Sequence, residues 1–406
     1  MTTPTTFPTV SGGVSLAEGF LAGAVFAGIK PGNESKRDFA LILSQLPAVA
    51  AATFTTNKIK AAPVRISIAN LRGGDIRGVL LNSGNANACN GIIGIQHGKR
   101  SLRAAAKALG LKERQLLVCS TGRIGVELPI EKMEKAAELL PSSLSRRGSR
   151  KVAKAIMTSD TFPKEIAVQV EIAGRTISIG GIAKGAGMIN PNMATMLSII
   201  TTDLAIEKKE LQRTLGIAVE QSYNRITVDG DMSTNDTVII LANAAAGGNP
   251  IGMEHPDFAV FQEALNFVTR NLARMIVEDG EGVSKFVEVQ VNGAATYQDA
   301  RKVANAIANS TLVKCSWNGE DPNWGRIMDA IGYSTARARE EMIDIYYDGL
   351  IAVKNGMKTL TPLKALRSVM KKRKFKVTVD LHLGTAQYII YTTDLTAEYV
   401  ELNKGE

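Results

Sequence analysis

The chain has 406 residues, 45% of them apolar and 21% charged, a composition that can bury one large core or two to three ordinary ones. Its net charge of +9 suits a solvated positive face or attraction of a small acidic metabolite. A nucleic-acid partner is not expected: aromatics are only 5%, and the one dense basic run, Lys371, Lys372, Arg373 and Lys374, simply precedes an alternating strand pattern. The longest uncharged stretch, 39–57, holds Ser44, Gln45, Pro47 and several threonines and makes a poor membrane span. Cys89, Cys119 and Cys315 form no C-x-x-C pair and fit free thiols in a reducing compartment. MTTPTTFPTVSGG has neither the basic nor the apolar region of a signal peptide, so a soluble, cytoplasmic protein is expected.

Small apolar residues at 19–30 predict a first strand with a bend, and 38–57 a second strand ending at Asn57. LLNSGNANACNG (80–91) reads as a core strand running into an Asn/Gly loop, and 95–110 as a helix stopped by Gly110. QLLVCSTGRIG (115–125) is a short strand ending in Ser120, Thr121 and Gly122. Such a Thr-Gly turn can set a hydroxyl beside a backbone N–H, the pair of donors an oxyanion hole needs. Cys119 reads as a buried free thiol, since no histidine lies near it in sequence.

Helices are expected over 130–158, with a polar cluster of Thr158, Ser159 and Asp160 at the end and Pro163 as the stop. Ile166, Val168, Val170 and Ile172 alternate, Ala173-Gly174 turns, and Ile177 and Ile179 return, which is a hairpin pattern. It leads into 180–204, a glycine-rich loop through Asn190, Pro191 and Asn192, then the apolar run Met196–Ile200. That run is a buried strand or a buried helix start. Thr195 sits where loop meets core. It is either one β-branched residue among several, or a nucleophile whose base would be its own α-amine once the Ala194–Thr195 bond is cut.

A helix follows at 206–223, then an acidic, turn-rich loop, Asp229 to Asp236, before a buried strand. The loop lacks the glycine and glutamate of an EF-hand, so no metal is expected there. AAAGGNP (244–250) is a break, 258–276 a helix, and Glu278, Asp279 and Glu281 lie in a Gly-flanked turn before an alternating strand. A helix at 298–309, a Pro/Gly turn at 319–326 with Trp324 and Arg326, and a final alternating strand carrying His382 on its polar face complete the chain. TTDL occurs twice, at 201–204 and 392–395, and suggests helix caps at Asp203 and Asp394 or a duplicated half-domain. None of His97, His255 and His382 stands in a chemical context, which weakens a Ser-His-Asp reading.

KGAGMINPNMATML, NSGNANAC, STG, VDGDMSTND, DGEGVSKF and GEDPNWGR, in comparable order and separation, resemble the glutamate N-acetyltransferase/ornithine acetyltransferase family of arginine biosynthesis from about Gly19 to Asn403. The resemblance implies an α/β fold of the N-terminal-threonine-nucleophile type, with mixed sheets packed between helices. It implies self-cleavage between Ala194 and Thr195 into an α chain (1–194) and a β chain (195–406), assembled as α2β2. Thr195 would carry the acetyl group from N2-acetylornithine to glutamate, with no resident cofactor and with acetyl-CoA a further acetyl donor in some members. Thr121 and Gly122 match the family's oxyanion pair, and Thr158, Lys184, Thr195, Glu281 and Asn403 its substrate contacts. The chain ends NKGE, without the terminal threonine usual in the family, which bears on substrate choice. The alternative is a self-processing amidase or aminopeptidase-like hydrolase that passes the acyl group to water.

Overall fold

Apolar runs bounded by turn formers become strands, and the amphipathic segments between them become helices. The computed structural model of the chain describes residues 6–190 and 196–404. They divide into two units, the described parts of Met1–Met188, Asn192–Asn224 and Asp231–Ile276, and of Ile189–Pro191, Arg225–Gly230 and Val277–Glu406.

The first unit holds β1 (Phe20–Val25), β2 (Phe39–Phe54), β3 (Ile76–Asn82), β4 (Leu116–Ser120), β5 (Lys164–Ile172), β6 (Arg175–Lys184), β7 (Leu197–Thr202) and β8 (Thr237–Ala242). Their order is β4-β3-β2-β8-β7-β6-β5, with β1 beside β2. The β3–β4 and β7–β8 pairs are parallel and the rest antiparallel, so the sheet is mixed. The long β2 pairs with β1 and β3 through its first residues and with β8 from Val49 onward. Its ladder to β3 breaks between Leu43 and Ala48, where Pro47 has no N–H to give.

Successive strand residues point to opposite faces. Ile42, Leu81 and Leu117 join one core with Val152 of the Ser149–Ala155 helix. Their neighbours Leu41, Leu80 and Leu116 join another, with Ile66, Leu102 and Met133 of the Ala62–Leu71, Gly91–Ala108 and Ile130–Ala137 helices. Helices on both faces explain why these strands read as unbroken apolar runs.

The second unit holds β9 (Phe286–Ala294), β10 (Asp344–Tyr347), β11 (Leu350–Lys354), β12 (Met357–Lys358), β13 (Lys374–Asp380) and β14 (Ala386–Thr393), ordered β12-β11-β10-β13-β9-β14. Val287, Val289, Val377 and Val379 pack with Ile307, Trp317 and Ile327 from three helices: Tyr297–Asn309, Thr311–Asn318 and Trp324–Tyr333. Each of these helices starts on a side-chain cap, Thr296, Ser310 and Asn323 respectively.

Burial brings the Lys314 ammonium of this unit down to about 7, although it donates to Thr392 Oγ1, Thr393 Oγ1 and the Thr393 carbonyl. An unfolded lysine titrates near about 10.4, so the unfolded chain holds a proton there that the folded chain has shed. Stability should therefore rise between about pH 7 and pH 10. The melting temperature is expected to climb over that interval in the wild type and not in Lys314→Met; parallel curves would contradict the assignment.

Several local expectations change. Gly180 and Gly181 lie inside β6, not at the head of a loop, because the register continues to Lys184 against β5 and β7. A Cβ at Gly180 would stand 1.8 Å from the Gly13 carbonyl oxygen, so this glycine serves close approach. Asp203 and Asp394 cap no helix: the following helices begin at Lys208 and Ala397, with Glu207 and Thr396 at their N-caps. Each aspartate instead ties down a neighbouring segment, Asp203 accepting from the N–H groups of Glu18 and Ser178, and Asp394 from those of Ser284 and Lys285. The two sheets differ in strand number and order, so the repeated TTDL reflects a shared local device and not a duplicated half-domain. His382 lies beyond the end of β13, in a left-handed conformation with Nε2 3.0 Å from Asp344 Oδ2. The helix expected to stop at Pro163 ends at Ala155, and Trp324 opens a helix instead of sitting in the turn.

Candidate active site

β4 delivers Thr121 and Gly122 at its end. The Thr121 N–H bonds the Asn82 carbonyl at 3.0 Å, which extends the β3–β4 pairing by one step and fixes the turn. Gly122 has φ +133, and a Cβ there would lie 2.3 Å from the Gly84 carbonyl carbon and 2.4 Å from Asn85 N. Only glycine fits. Gly122→Ala is expected to cost roughly 2–5 kcal/mol through strain and overpacking and to abolish activity; chemical denaturation and an assay on the folded fraction check both.

Lys184 ends β6 and is buried. Its ammonium donates to Thr158 Oγ1 at 2.7 Å and to Thr121 Oγ1 at 3.3 Å, and lies 4.0 Å from Asp160 Oδ2. Because the Thr121 oxygen accepts from Lys184, its own proton is left to donate elsewhere. Asp160 anchors the group. Its Oδ1 accepts from Lys164 Nζ at 2.6 Å and from the Gly185 N–H at 2.8 Å, and its Oδ2 from the Thr158 N–H at 3.0 Å. Burial alone would raise the Asp160 carboxyl, but the Lys184 and Lys164 ammoniums and the Gly185 N–H outweigh it and hold the carboxyl well below its usual range. Lys164 and Lys184 thus bring two ammonium groups to one buried carboxylate, Asp160.

Asp236, at the end of the acidic loop, is also buried. Its Oδ1 accepts from the Met196 N–H at 3.0 Å. Burial pushes this carboxyl well above the usual range, against the pull of the Met196 N–H, Lys184 and the Thr55 side chain. Ala194 and Thr195, the expected cleavage site and nucleophile, lie outside the described residues, as does the boundary between the expected α and β chains.

In the second unit, Asn403 Nδ2 donates to Glu281 Oε2 at 3.0 Å and to the Tyr399 carbonyl at 2.9 Å. Gly282 lets the Glu281 turn approach the final helix, Ala397–Leu402: it has φ +62, and a Cβ would lie 2.7 Å from Tyr399 N. Thr121, Gly122, Thr158 and Lys184 are thus gathered in one unit, and Glu281 with Asn403 in the other.

A model of the ArgJ family matches residues 21–405. The chain belongs to the ArgJ family. It is 43% identical over 394 residues to the arginine biosynthesis bifunctional protein ArgJ of Symbiobacterium thermophilum, covering 97% of this chain and 98% of that protein. It is 44% identical over 411 residues to the glutamate N-acetyltransferase of Methanocaldococcus jannaschii, covering 97% and 98%. The crystal structure of the arginine biosynthesis bifunctional protein argJ of Bacillus halodurans aligns with a TM-score of 0.51 at 41% identity, 52% of this chain covering 100% of that one. The mixed α/β architecture expected of the family is the one found.

Against an ArgJ-type site the remaining candidates recede. Burial pushes the Cys119 thiol up to about 12, so it is no nucleophile at neutral pH. Among the described residues no cluster of three or more His, Cys, Asp or Glu could hold a metal, and no helix is long and apolar enough to cross a membrane. Lys164 joins the site beyond the expected residues, and Asp160 and Asp236 have places in it that no motif assigns. The four-residue spacing of Asp160 and Lys164 was the available signal for that ion pair. No local pattern shows that Asp236 is buried.

Proposed function

We propose that this ArgJ-family chain is a self-cleaving acetyltransferase of arginine biosynthesis, moving the acetyl group of N2-acetylornithine to glutamate through an acetyl-Thr195 intermediate. After cleavage between Ala194 and Thr195, the new α-amine takes the Oγ1 proton as the oxygen attacks the acetyl carbonyl. The Thr121 hydroxyl and the Gly122 N–H receive the developing oxyanion. The C–N bond breaks, ornithine leaves with the proton, and the glutamate amine then attacks the acetyl ester to restore the Thr195 hydroxyl.

The observation that carries this reading is the junction of Gly122, whose turn admits no side chain, with a buried Lys184 bonded to Thr121 and Thr158. One group of donors faces an oxyanion and the other a carboxylate. Lys184 would bind the substrate α-carboxylate, with Thr158 beside it, and Glu281, held by Asn403, the ornithine side-chain ammonium. Coverage of a complete solved chain by about half of this one supports cleavage into two chains, and an α2β2 assembly follows as part of the proposal. No resident cofactor is required by these steps. The word bifunctional in the names of relatives supports acetyl-CoA as a second acetyl donor.

Incubation with N2-acetylornithine should yield N-acetylglutamate only when glutamate is present. Free acetate released without an acceptor would instead mark a hydrolase. Activity with acetyl-CoA and glutamate alone separates the bifunctional from the monofunctional form. Glu281→Gln is expected to raise KM for N2-acetylornithine about tenfold or more, the loss of one charge-assisted contact, with a smaller effect on kcat; an unchanged KM would remove Glu281 from the site.

A further inference from the structure

The break AAAGGNP (244–250) follows β8 and has no part in the transfer steps. Gly247 and Gly248 take φ +73 and +90 there. Together with the turn that joins β5 to β6, this segment borders a cavity of about 400 Å³, a size usual for small-ligand sites. Both walls are fixed: the Ile251 N–H bonds the Ala205 carbonyl at 2.9 Å, and the Ala173 N–H the Asp257 carboxylate at 2.8 Å.

The lining is of two kinds. Ile172, Ile177, Leu204 and Ile251 are buried aliphatic side chains. Beside them stand Arg175 and His255. Arg175 Nη1 donates to the Ala246 carbonyl at 3.0 Å, a bond that uses one of the five guanidinium N–H donors. The guanidinium lies close over the two glycines: a Cβ at Gly247 would come to 3.1 Å from Nη1, and one at Gly248 to 3.1 Å from Nε. His255 Nδ1 accepts from the Asp257 N–H at 3.1 Å, which leaves the proton of the neutral ring on Nε2 as a donor.

We propose that this cavity binds a short aliphatic carboxylate, its head group taken by Arg175 and His255 and its tail by the four aliphatic side chains. A guanidinium fork matches the two oxygens of a carboxylate, and a hydrocarbon tail takes the apolar wall out of water. A phosphate would leave that wall wet. A hydrocarbon without an acid group would strip water from the guanidinium and return no partner to it. The site is separate from that of acetyl transfer: Arg175 opens β6 and Lys184 closes it, so the two ends are about 30 Å apart along the strand.

The chain has three histidines, so ring signals from protein labelled with carbon-13 histidine read the site directly, and His255→Gln assigns the one that matters. Titration with 4-methylpentanoate at constant pH should shift the His255 signal saturably and leave those of His97 and His382 in place. Acetate, which lacks the tail, and 4-methylpentan-1-ol, which lacks the acid, should each bind at least about tenfold more weakly. Arg175→Ala should weaken the acid by at least about tenfold. Should alanine unsettle the turn at Gly247 and Gly248, Arg175→Met keeps a side chain packed over them and takes its place. The acid and the alcohol can be compared in the unaltered protein whatever the variants do. A His255 signal that does not move, equal binding of acid and alcohol, or undiminished binding without the guanidinium would each overturn the proposal. A shift produced as well by acetate would mark an adventitious ion only and overturn it too.

Discussion

Thr195→Ala is expected to leave a single chain of 43.4 kDa and to abolish acetyl transfer. Two functions are lost at once, because the hydroxyl that opens the Ala194–Thr195 bond is the one that later carries the acetyl group. The remaining machinery stays in place: Thr121 and Gly122 are set by the β4 turn, and Lys184 by β6 and Asp160. Residual turnover should therefore lie at least about 10⁴-fold below wild type, the order seen when a nucleophile is removed from an intact site. Thr195→Ser, which keeps a hydroxyl, should retain cleavage and part of the activity. Denaturing gels and an N-acetylglutamate assay check both variants together.

The second large effect is on stability. Asp160→Ala is expected to destabilise the folded protein by about 3–5 kcal/mol, the usual consequence of removing one partner of a buried ion pair. The reason is local. Lys164 and Asp160 are both fully buried and 2.6 Å apart, and the Gly185 and Thr158 N–H groups share the same carboxylate. Asp160→Asn, which still offers an oxygen, should lose less. The pH dependence follows from the depressed carboxyl. A group whose folded pKa lies below its unfolded value, about 3.9, contributes its full stability above that value and loses it as pH falls toward the folded one. The difference between wild type and Asp160→Asn should thus be constant near neutrality and shrink below about pH 4. Asp236 has the opposite sign: with its carboxyl raised, its burial weighs against folding increasingly as pH rises above the unfolded value. Urea titrations of the variants across this range separate the two.

How much of this was legible before the fold was known differs by residue. The hairpin Ile166–Ile179 was readable because period-two alternation and an Ala-Gly turn both point to it, and the register agrees. Gly180 and Gly181 were misread as loop because a glycine kept for close backbone approach looks the same in sequence as one kept for flexibility. What decides is the Gly13 carbonyl, distant in sequence and touching in space. Gly122 was legible as a turn, but its necessity comes from Gly84 and Asn85 on a neighbouring segment. Lys184 was placed by resemblance, whereas its hold on Thr121 and Thr158, 63 and 26 residues away, belongs to the fold. Asp203 and Asp394 were read by the local rule for helix caps, and tertiary contacts with Glu18, Ser178, Ser284 and Lys285 took their place. Asp236 is legible as the end of an acidic loop but not as buried, since burial of a carboxylate there has no periodic signature.

Peptide mass spectrometry of the enzyme quenched after mixing with N2-acetylornithine, in the absence of glutamate, tests the central claim most directly. The expected result is one acetyl group on the peptide whose first residue is Thr195, carried on its hydroxyl and lost when glutamate is added. An acetyl group resident on any other side chain, or full-length uncleaved protein transferring acetyl at the wild-type rate, would contradict it.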